Sequence, residues 1–109
     1  IKALAAVKDT GGAYLQVADR DILAAIPELA RVTGVFAEPA GAAAYAGLVK
    51  AVENRLVSAD ENIVVLATGS GLKDVAGTME ALNLAGIEPY RVTPDLTAVE
   101  QVVTGWKGE

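Results

Sequence analysis

Hydrophobic positions along the chain follow two different patterns. Between residues 20 and 33 the apolar side chains recur at helical spacing, as Ile22, Leu23, Ile26 and Leu29. This spacing predicts a helix with Asp19 at its N-cap and Gly34 at its end. Residues 62–67 instead form a nearly continuous aliphatic run without in/out alternation. Such a run predicts a strand that is covered on both faces.

The other elements follow from apolar runs and from the glycines and prolines between them. We predict helices over 1–10, 39–55 and 72–85, a short last helix from Thr93-Pro94-Asp95 to Val103, and extended segments over 13–17, 35–38 and 86–92. Pro27 is expected to kink or split the helix that contains it, because proline removes a backbone donor. Residues 105–109 are expected to form a frayed terminus.

This order of elements predicts an α/β fold, with helices packed on a mostly parallel sheet. Only two of the strands are clear, and two strands do not form a stable parallel sheet on their own. Either a partner completes the sheet, or the chain is the C-terminal part of a larger domain that begins before Ile1. We therefore predict one partial α/β domain over residues 1–109, in which residues 86–109 form an extended C-terminal tail with a short helix.

Composition narrows the possible functions. Hydrophobic residues make up 52% of the chain and aromatic residues 5%, so the core is built from small aliphatic side chains. A net charge of −5 without any basic run argues against nucleic-acid binding. The chain has no cysteine and no histidine, so no metal site is predicted, and a reducing, cytoplasmic compartment is favoured. No apolar stretch approaches the roughly 20 residues that cross a bilayer.

A glycine-rich turn, Thr68-Gly69-Ser70-Gly71, follows the aliphatic run. Glycines at the end of a parallel strand let backbone N–H groups approach a ligand closely. The turn lacks the glycine-lysine spacing of a Walker loop, and it lacks the third glycine of the dinucleotide fingerprint. Two interpretations stay open, a ligand-binding turn and a strand-to-helix turn that binds nothing.

Charged residues occur beside both turns. Glu38 precedes a helix that opens at Pro39, where it is either a simple capping acid or part of a ligand site. The pair Lys73-Asp74 is either an acid/base pair or, as we favour, an exposed pair of charges in the first turn of a helix. Because both turns lie at the ends of elements, they can face one crevice.

Three segments together resemble one family. They are Gly34-Val35-Phe36-Ala37-Glu38-Pro39-Ala40-Gly41-Ala42, Ala46-Gly47-Leu48-Val49-Lys50, and Val64 through Thr68-Gly69-Ser70-Gly71-Leu72-Lys73-Asp74. In this order and spacing they are similar to the C-terminal third of threonine synthases, which are pyridoxal-phosphate enzymes of fold type II. The related serine and threonine dehydratases share the Glu-Pro turn but usually carry a Ser-Gly-Gly-Asn type of turn later. The Leu-Lys-Asp continuation therefore favours threonine synthase.

The resemblance implies a lyase of threonine biosynthesis that converts O-phosphohomoserine and water to threonine and phosphate. It implies that Thr68 bonds the pyridine nitrogen of the cofactor, that Gly69 and Gly71 let the turn pass close to the ring, and that Glu38 lines the pocket. It assigns no role to Lys73 or Asp74. The partners that it implies are a small-molecule substrate and a second copy of the chain in a homodimer.

The family's cofactor-bearing lysine, which forms the Schiff base, and its phosphate-binding glycine loop have no counterpart in these 109 residues. No catalytic residue is therefore assigned, and the chain is expected to be an inactive C-terminal fragment of a larger enzyme. The alternatives are a fragment of a dehydratase and a stand-alone module of the same fold that binds a ligand or forms oligomers.

Overall fold

The computed structural model describes residues 2–106. Within that range the regular elements are helices joined by turns and extended segments. They are α1 (Lys2–Thr10), α2 (Asp19–Thr33), α3 (Pro39–Glu53), a 3-10 turn (Gly71–Lys73), α4 (Val75–Leu84) and α5 (Leu96–Gly105). Each predicted helix is present, and the one predicted over 72–85 is divided at Asp74.

The core lies where α2 packs on α3 and α4. Ile26 of α2 is fully buried, and small side chains of α3, such as Ala42 and Ala46, pack in the same cluster. Because these α3 side chains are short, the two helices approach closely, as the alanine and glycine content of this segment suggests. The buried members of the cluster are Ala25, Ile26, Leu29, Ala37, Ala42, Ala46 and Ala81.

The ends of α2 and α3 follow their local signals with one correction. Gly34 ends α2 in the left-handed conformation (φ 77°) and donates its N–H to the Ala30 carbonyl at 2.8 Å. Pro39 occupies the first turn of α3, where a missing N–H costs nothing. The N-cap of α2 is Ala18 and makes no side-chain cap bond, so the prediction of Asp19 at that position is wrong by one residue.

The helix α2 is not split at Pro27, so of the two predicted effects of this proline, a kink or a split, the split is wrong. Ile26 and Leu29, on either side of the proline, are both buried in the same core. We attribute the unbroken helix to this packing, because a proline inside a helix costs about 3 kcal/mol and burial of two large aliphatic side chains contributes a comparable amount.

The predicted strands are the main difference between sequence and structure. Among residues 2–106 no strand ladder is formed, and the single β-bridge, between Ala37 and Ser70, is antiparallel. Residues 63–66 have no regular structure, and the side chains of Val64 and Leu66 are 84% and 72% exposed. A strand needs a neighbour to pair with, and the described residues offer none to this segment. Packing of the helices on a mostly parallel sheet stays a prediction.

Outside the core the chain is open. The radius of gyration is 17.4 Å, whereas a compact chain of this length has about 13 Å. Helices α1 and α5 contain no buried residue. None of the helices within residues 2–106 is long and apolar enough to cross a membrane. The predicted frayed terminus begins one residue too early, since Gly105 is the last residue of α5, and its last three positions, 107–109, lie outside the described residues.

Candidate functional site

The structure brings the two turns that the sequence singled out into contact. The Glu38 N–H donates to the Gly69 carbonyl, and the Gly71 N–H donates to the Phe36 carbonyl, each at 2.9 Å. These two bonds flank the Ala37–Ser70 bridge and connect the start of α3 with the glycine-rich turn. Residues more than 30 positions apart in the chain therefore form one small site.

Gly69 lies directly against the Glu38 side chain. A Cβ atom placed on Gly69 would overlap the Glu38 carboxylate, so only glycine fits at this position without displacement. On the other side, a Cβ atom on Gly41 would lie 3.2 Å from the Gly69 carbonyl oxygen. The first turn of α3 and the 68–71 turn thus meet backbone to backbone, and the Glu38 carboxylate fills the space beside Gly69.

A glycine is needed at position 71 for a similar steric reason. A Cβ atom on Gly71 would lie 2.5 Å from the ring of Phe36. The Gly71 carbonyl accepts a hydrogen bond from the buried Thr78 hydroxyl at 3.1 Å, which joins the turn to α4. Protein atoms therefore explain both glycines of the turn, where the family resemblance gave the close passage of a cofactor ring as the reason.

Glu38 carries the buried charge of the site. Its side chain is 10% exposed, and its Oε1 atom accepts a hydrogen bond from Lys73 Nζ at 2.9 Å. Although Glu38 is the N-cap residue of α3, its carboxylate makes no capping bond, so the interpretation as a simple capping acid is incomplete. The carboxylate is used instead for a contact with a residue 35 positions later.

Lys73 and Asp74 are not a pair with each other. Lys73 is 68% exposed along its side chain, as expected, but its ammonium pairs with Glu38. Asp74 caps α4, since its Oδ1 atom accepts the Gly77 N–H at 3.0 Å. The acid/base interpretation of these two neighbours therefore has no support in their contacts.

Thr68 stands at the exposed edge of the site. Its residue is exposed, and within the described part of the chain its hydroxyl makes no hydrogen bond to protein. A hydroxyl can both donate and accept, so it can bond an ionised or a neutral ring nitrogen. Of the four predicted site residues, Glu38, Gly69 and Gly71 are packed against protein, and Thr68 alone presents a free polar group.

Sequence reasoning missed two contributors to this site. Thr78 gave no signal, because a threonine inside a helix has no distinctive spacing. Phe36 belonged to the Val35-Phe36-Ala37-Glu38 segment, but its contact with Gly71 depends on the fold. The partner of Lys73 was also missed, because the pairing joins two distant turns.

A metal site and a second cleft are the other candidates for a functional site. Residues 2–106 contain no cluster of three or more acidic side chains placed to hold a metal ion. A cleft of about 400 Å³ lies between α2 and α3, lined among others by Arg20, Glu28 and Lys50, but neither turn contributes to it. The candidate site is therefore the junction of the two turns.

The described residues fit one edge of a pyridoxal phosphate ring. The exposed Thr68 hydroxyl matches a ring nitrogen, and its carboxylate neighbour Glu38 is already paired with Lys73, so no free anion competes at that edge. The cofactor's phosphate needs backbone N–H groups or cations elsewhere, and the Lys73 ammonium is engaged. The fit thus concerns the nitrogen end of the cofactor alone.

Comparison with known proteins gives a family for this arrangement. The family described as "Pyridoxal-phosphate dependent enzyme" matches residues 1–69, which include Glu38, Thr68 and Gly69. The chain is 38% identical to a threonine synthase of Methanosarcina acetivorans over 95% of its length, and this match covers 25% of the relative. It is 44% identical to a threonine synthase of Mycobacterium leprae over 92% of its length, which covers 27% of that protein.

The chain belongs to the pyridoxal-phosphate dependent enzyme family. Within that family it resembles the C-terminal part of threonine synthases. It spans about a quarter of the length of the curated relatives it matches. The sequence prediction of the family is thereby confirmed.

Proposed function

We propose that this chain supplies one wall of the cofactor site in a threonine synthase. The complete protein would convert O-phosphohomoserine and water to threonine and inorganic phosphate. The observation that carries the proposal is the meeting of Glu38 with the Thr68–Gly71 turn, both of which lie in the segments shared with threonine synthases.

Thr68 is the residue that contacts the cofactor in this proposal. Pyridoxal phosphate, when bound, withdraws electrons from the substrate carbons at which protons are exchanged. The Thr68 hydroxyl orients the ring by a neutral hydrogen bond to the ring nitrogen. Unlike a carboxylate, the hydroxyl does not require that nitrogen to carry a proton, and this moderates the withdrawal.

Gly69, Gly71 and Glu38 act through the shape of the wall. Gly69 and Gly71 let the turn lie flat on Glu38 and Phe36, which leaves the Thr68 side of the turn open toward a ligand. Glu38 is buried behind the turn, so we assign it a supporting role and no proton transfer. We propose that the lysine that holds the cofactor covalently lies outside residues 1–109, and that these residues alone do not turn over.

The test uses the complete polypeptide that contains these residues. We expect it to bind pyridoxal phosphate and to release phosphate from O-phosphohomoserine. Thr68→Val should lower kcat about tenfold, the value of one net hydrogen bond, whereas Thr68→Ser, which keeps the hydroxyl, should stay close to the parent.

Two results would overturn the proposal. Formation of a keto acid from serine or threonine without phosphate release from O-phosphohomoserine would identify a dehydratase. Turnover by residues 1–109 alone would contradict the assignment of the missing lysine to another part of the protein.

A further inference from the structure

Lys73 is the charged partner of Glu38 among the described residues. The ion pair spans 2.9 Å between Lys73 Nζ and Glu38 Oε1, and it joins the 3-10 turn to the N-cap of α3. A carboxylate that is 10% exposed needs such a partner, because burial of an unpaired charge is costly.

The position of the Glu38 carboxylate sets the position of Gly69. The carboxylate occupies the space where a Gly69 side chain would be, while the backbone of Gly41 closes the opposite side. The Gly69 carbonyl is bonded to the Glu38 N–H. Gly69 is therefore held by Glu38 from its side chain and from its backbone, and Thr68 is the next residue.

The Thr68 hydroxyl has no hydrogen-bond partner among the described residues. Thr68 is exposed and its side chain makes no hydrogen bond to protein. Its orientation thus depends on the backbone at Gly69, and through Gly69 on the carboxylate that Lys73 fixes. Asp74 does not compete for Lys73, because it is bonded to the N–H of Gly77.

We infer that Lys73 is a positioning residue of the cofactor site: by holding the Glu38 carboxylate against Gly69, it fixes the direction in which Thr68 presents its hydroxyl. Lys73 itself does not touch the cofactor. The inference rests on the proposed function only in that Thr68 contacts pyridoxal phosphate, and it holds for any reaction at that cofactor.

The experiment measures pyridoxal phosphate binding to the complete polypeptide by visible absorbance. Lys73→Met should weaken binding about tenfold, within the range of coupling between contacting residues, and should shift the absorption band of the bound cofactor. Lys73→Arg, which can still pair with a carboxylate, should restore both the affinity and the band position. Lys50→Met is the matched control, since Lys50 makes no ion pair among the described residues.

Two double variants separate positioning from general destabilisation. In a Glu38→Gln background, Lys73→Met should change the affinity less than twofold, because the pair is already broken. In a Thr68→Val background, Lys73→Met should no longer shift the absorption band, although it still lowers the unfolding temperature. A structural effect alone would lower that temperature without changing the band in any background.

Several outcomes would overturn the inference. These are wild-type affinity in Lys73→Met, no rescue by Lys73→Arg, an effect equal to that of Lys50→Met, a full effect of Lys73→Met in the Glu38→Gln protein, and a band shift that persists in the Thr68→Val protein. Failure of the proposed reaction looks different, since the parent would then bind cofactor and show this pattern without releasing phosphate from O-phosphohomoserine. A parent that binds no pyridoxal phosphate would contradict both.

Discussion

The part of the chain formed by α2, α3 and α4 differs sharply from the segments around it. In the first part, Ile26 is fully buried, and the two turns of the candidate site are bonded to each other. In the second part, Val64 and Leu66 lie in an extended segment and are mostly exposed. Helix α5 likewise places Leu96 and Val103 in solvent.

This difference separates the segments that pack against each other within the described residues from the segments that do not. Helices α2, α3 and α4 form a core with one another around Ile26, although Val52, Val75 and Leu84 of these helices are more than half exposed. The aliphatic segment has the composition of a covered strand but pairs with no neighbour among the described residues, and its Val64 and Leu66 side chains are mostly exposed. The candidate site lies beside the core of α2, α3 and α4, and its two turns are bonded to each other, which is why its geometry can be described from this chain.

The largest expected effect tests the contrast between the two parts directly. Ile26→Ala should lower the free energy of unfolding of the 109-residue chain by about 2–5 kcal/mol, because Ile26 is fully buried. Leu66→Ala should change it by about 0.5 kcal/mol or less, because Leu66 is 72% exposed. Urea denaturation measures both values.

The Leu66→Ala substitution should have a larger effect in the complete polypeptide. There Leu66→Ala should cost about 2 kcal/mol or more, since a covered leucine leaves a cavity when it is truncated. An equally small cost in both proteins would contradict the view that the aliphatic segment is covered by other residues.

An intermediate effect is expected within the site. Gly69→Ala should destabilise by about 1–3 kcal/mol, because the new methyl group displaces the Glu38 carboxylate. Gly47→Ala is the matched control, since Gly47 lies inside α3 and a Cβ atom there meets nothing within 4 Å. That change should stabilise by about 0.5–1 kcal/mol. Thermal unfolding of the two variants should therefore move in opposite directions.

The smallest effect concerns the exposed helix α5. The Thr93 hydroxyl and the Ala98 N–H bond the carboxylate of Asp95, and they lower the pKa of Asp95 below its ordinary value. A lowered pKa in the folded state means that the cap contributes its full stabilisation of α5 at pH values above the ordinary pKa of this carboxyl, 3.8. This stabilisation is lost as the pH falls through the folded-state pKa.

Proton titration of Asp95 can be followed through the amide resonance of Ala98 by NMR. We expect a midpoint below the ordinary value of an aspartate, and Asp95→Asn should remove the transition while keeping the cap. A midpoint at or above the ordinary value would show that the bonds to Asp95 do not persist in solution.

The features that sequence predicted well depend on neighbouring residues. Gly34 ends α2 and Pro39 opens α3 because φ angles and missing donors act within one turn of helix. Glu38 and the Thr68–Gly71 turn were selected because they lie at the ends of predicted elements and in segments that resemble threonine synthases, and Glu38 and Gly69 do meet in the fold. Their contact with a cofactor stays a prediction.

The features that sequence did not predict depend on distant partners. Lys73 was assigned to Asp74, its neighbour, and the structure pairs it with Glu38. Pro27 was expected to kink or split α2, and the split does not occur, because the local cost of proline was counted without the burial of Ile26 beside it. The aliphatic run 62–67 predicted a strand, but pairing requires a second strand that local pattern cannot locate.

The Glu38–Lys73 pair also has a consequence for the order in which this structure forms during synthesis. The carboxylate leaves the ribosome 35 residues before the ammonium that neutralises it. Until Lys73 has also left the ribosome, the start of α3 cannot bury Glu38 without the cost of an unpaired charge. The helices α2 and α3 can associate earlier, but the turn beside Thr68 becomes fixed only after Lys73 has emerged.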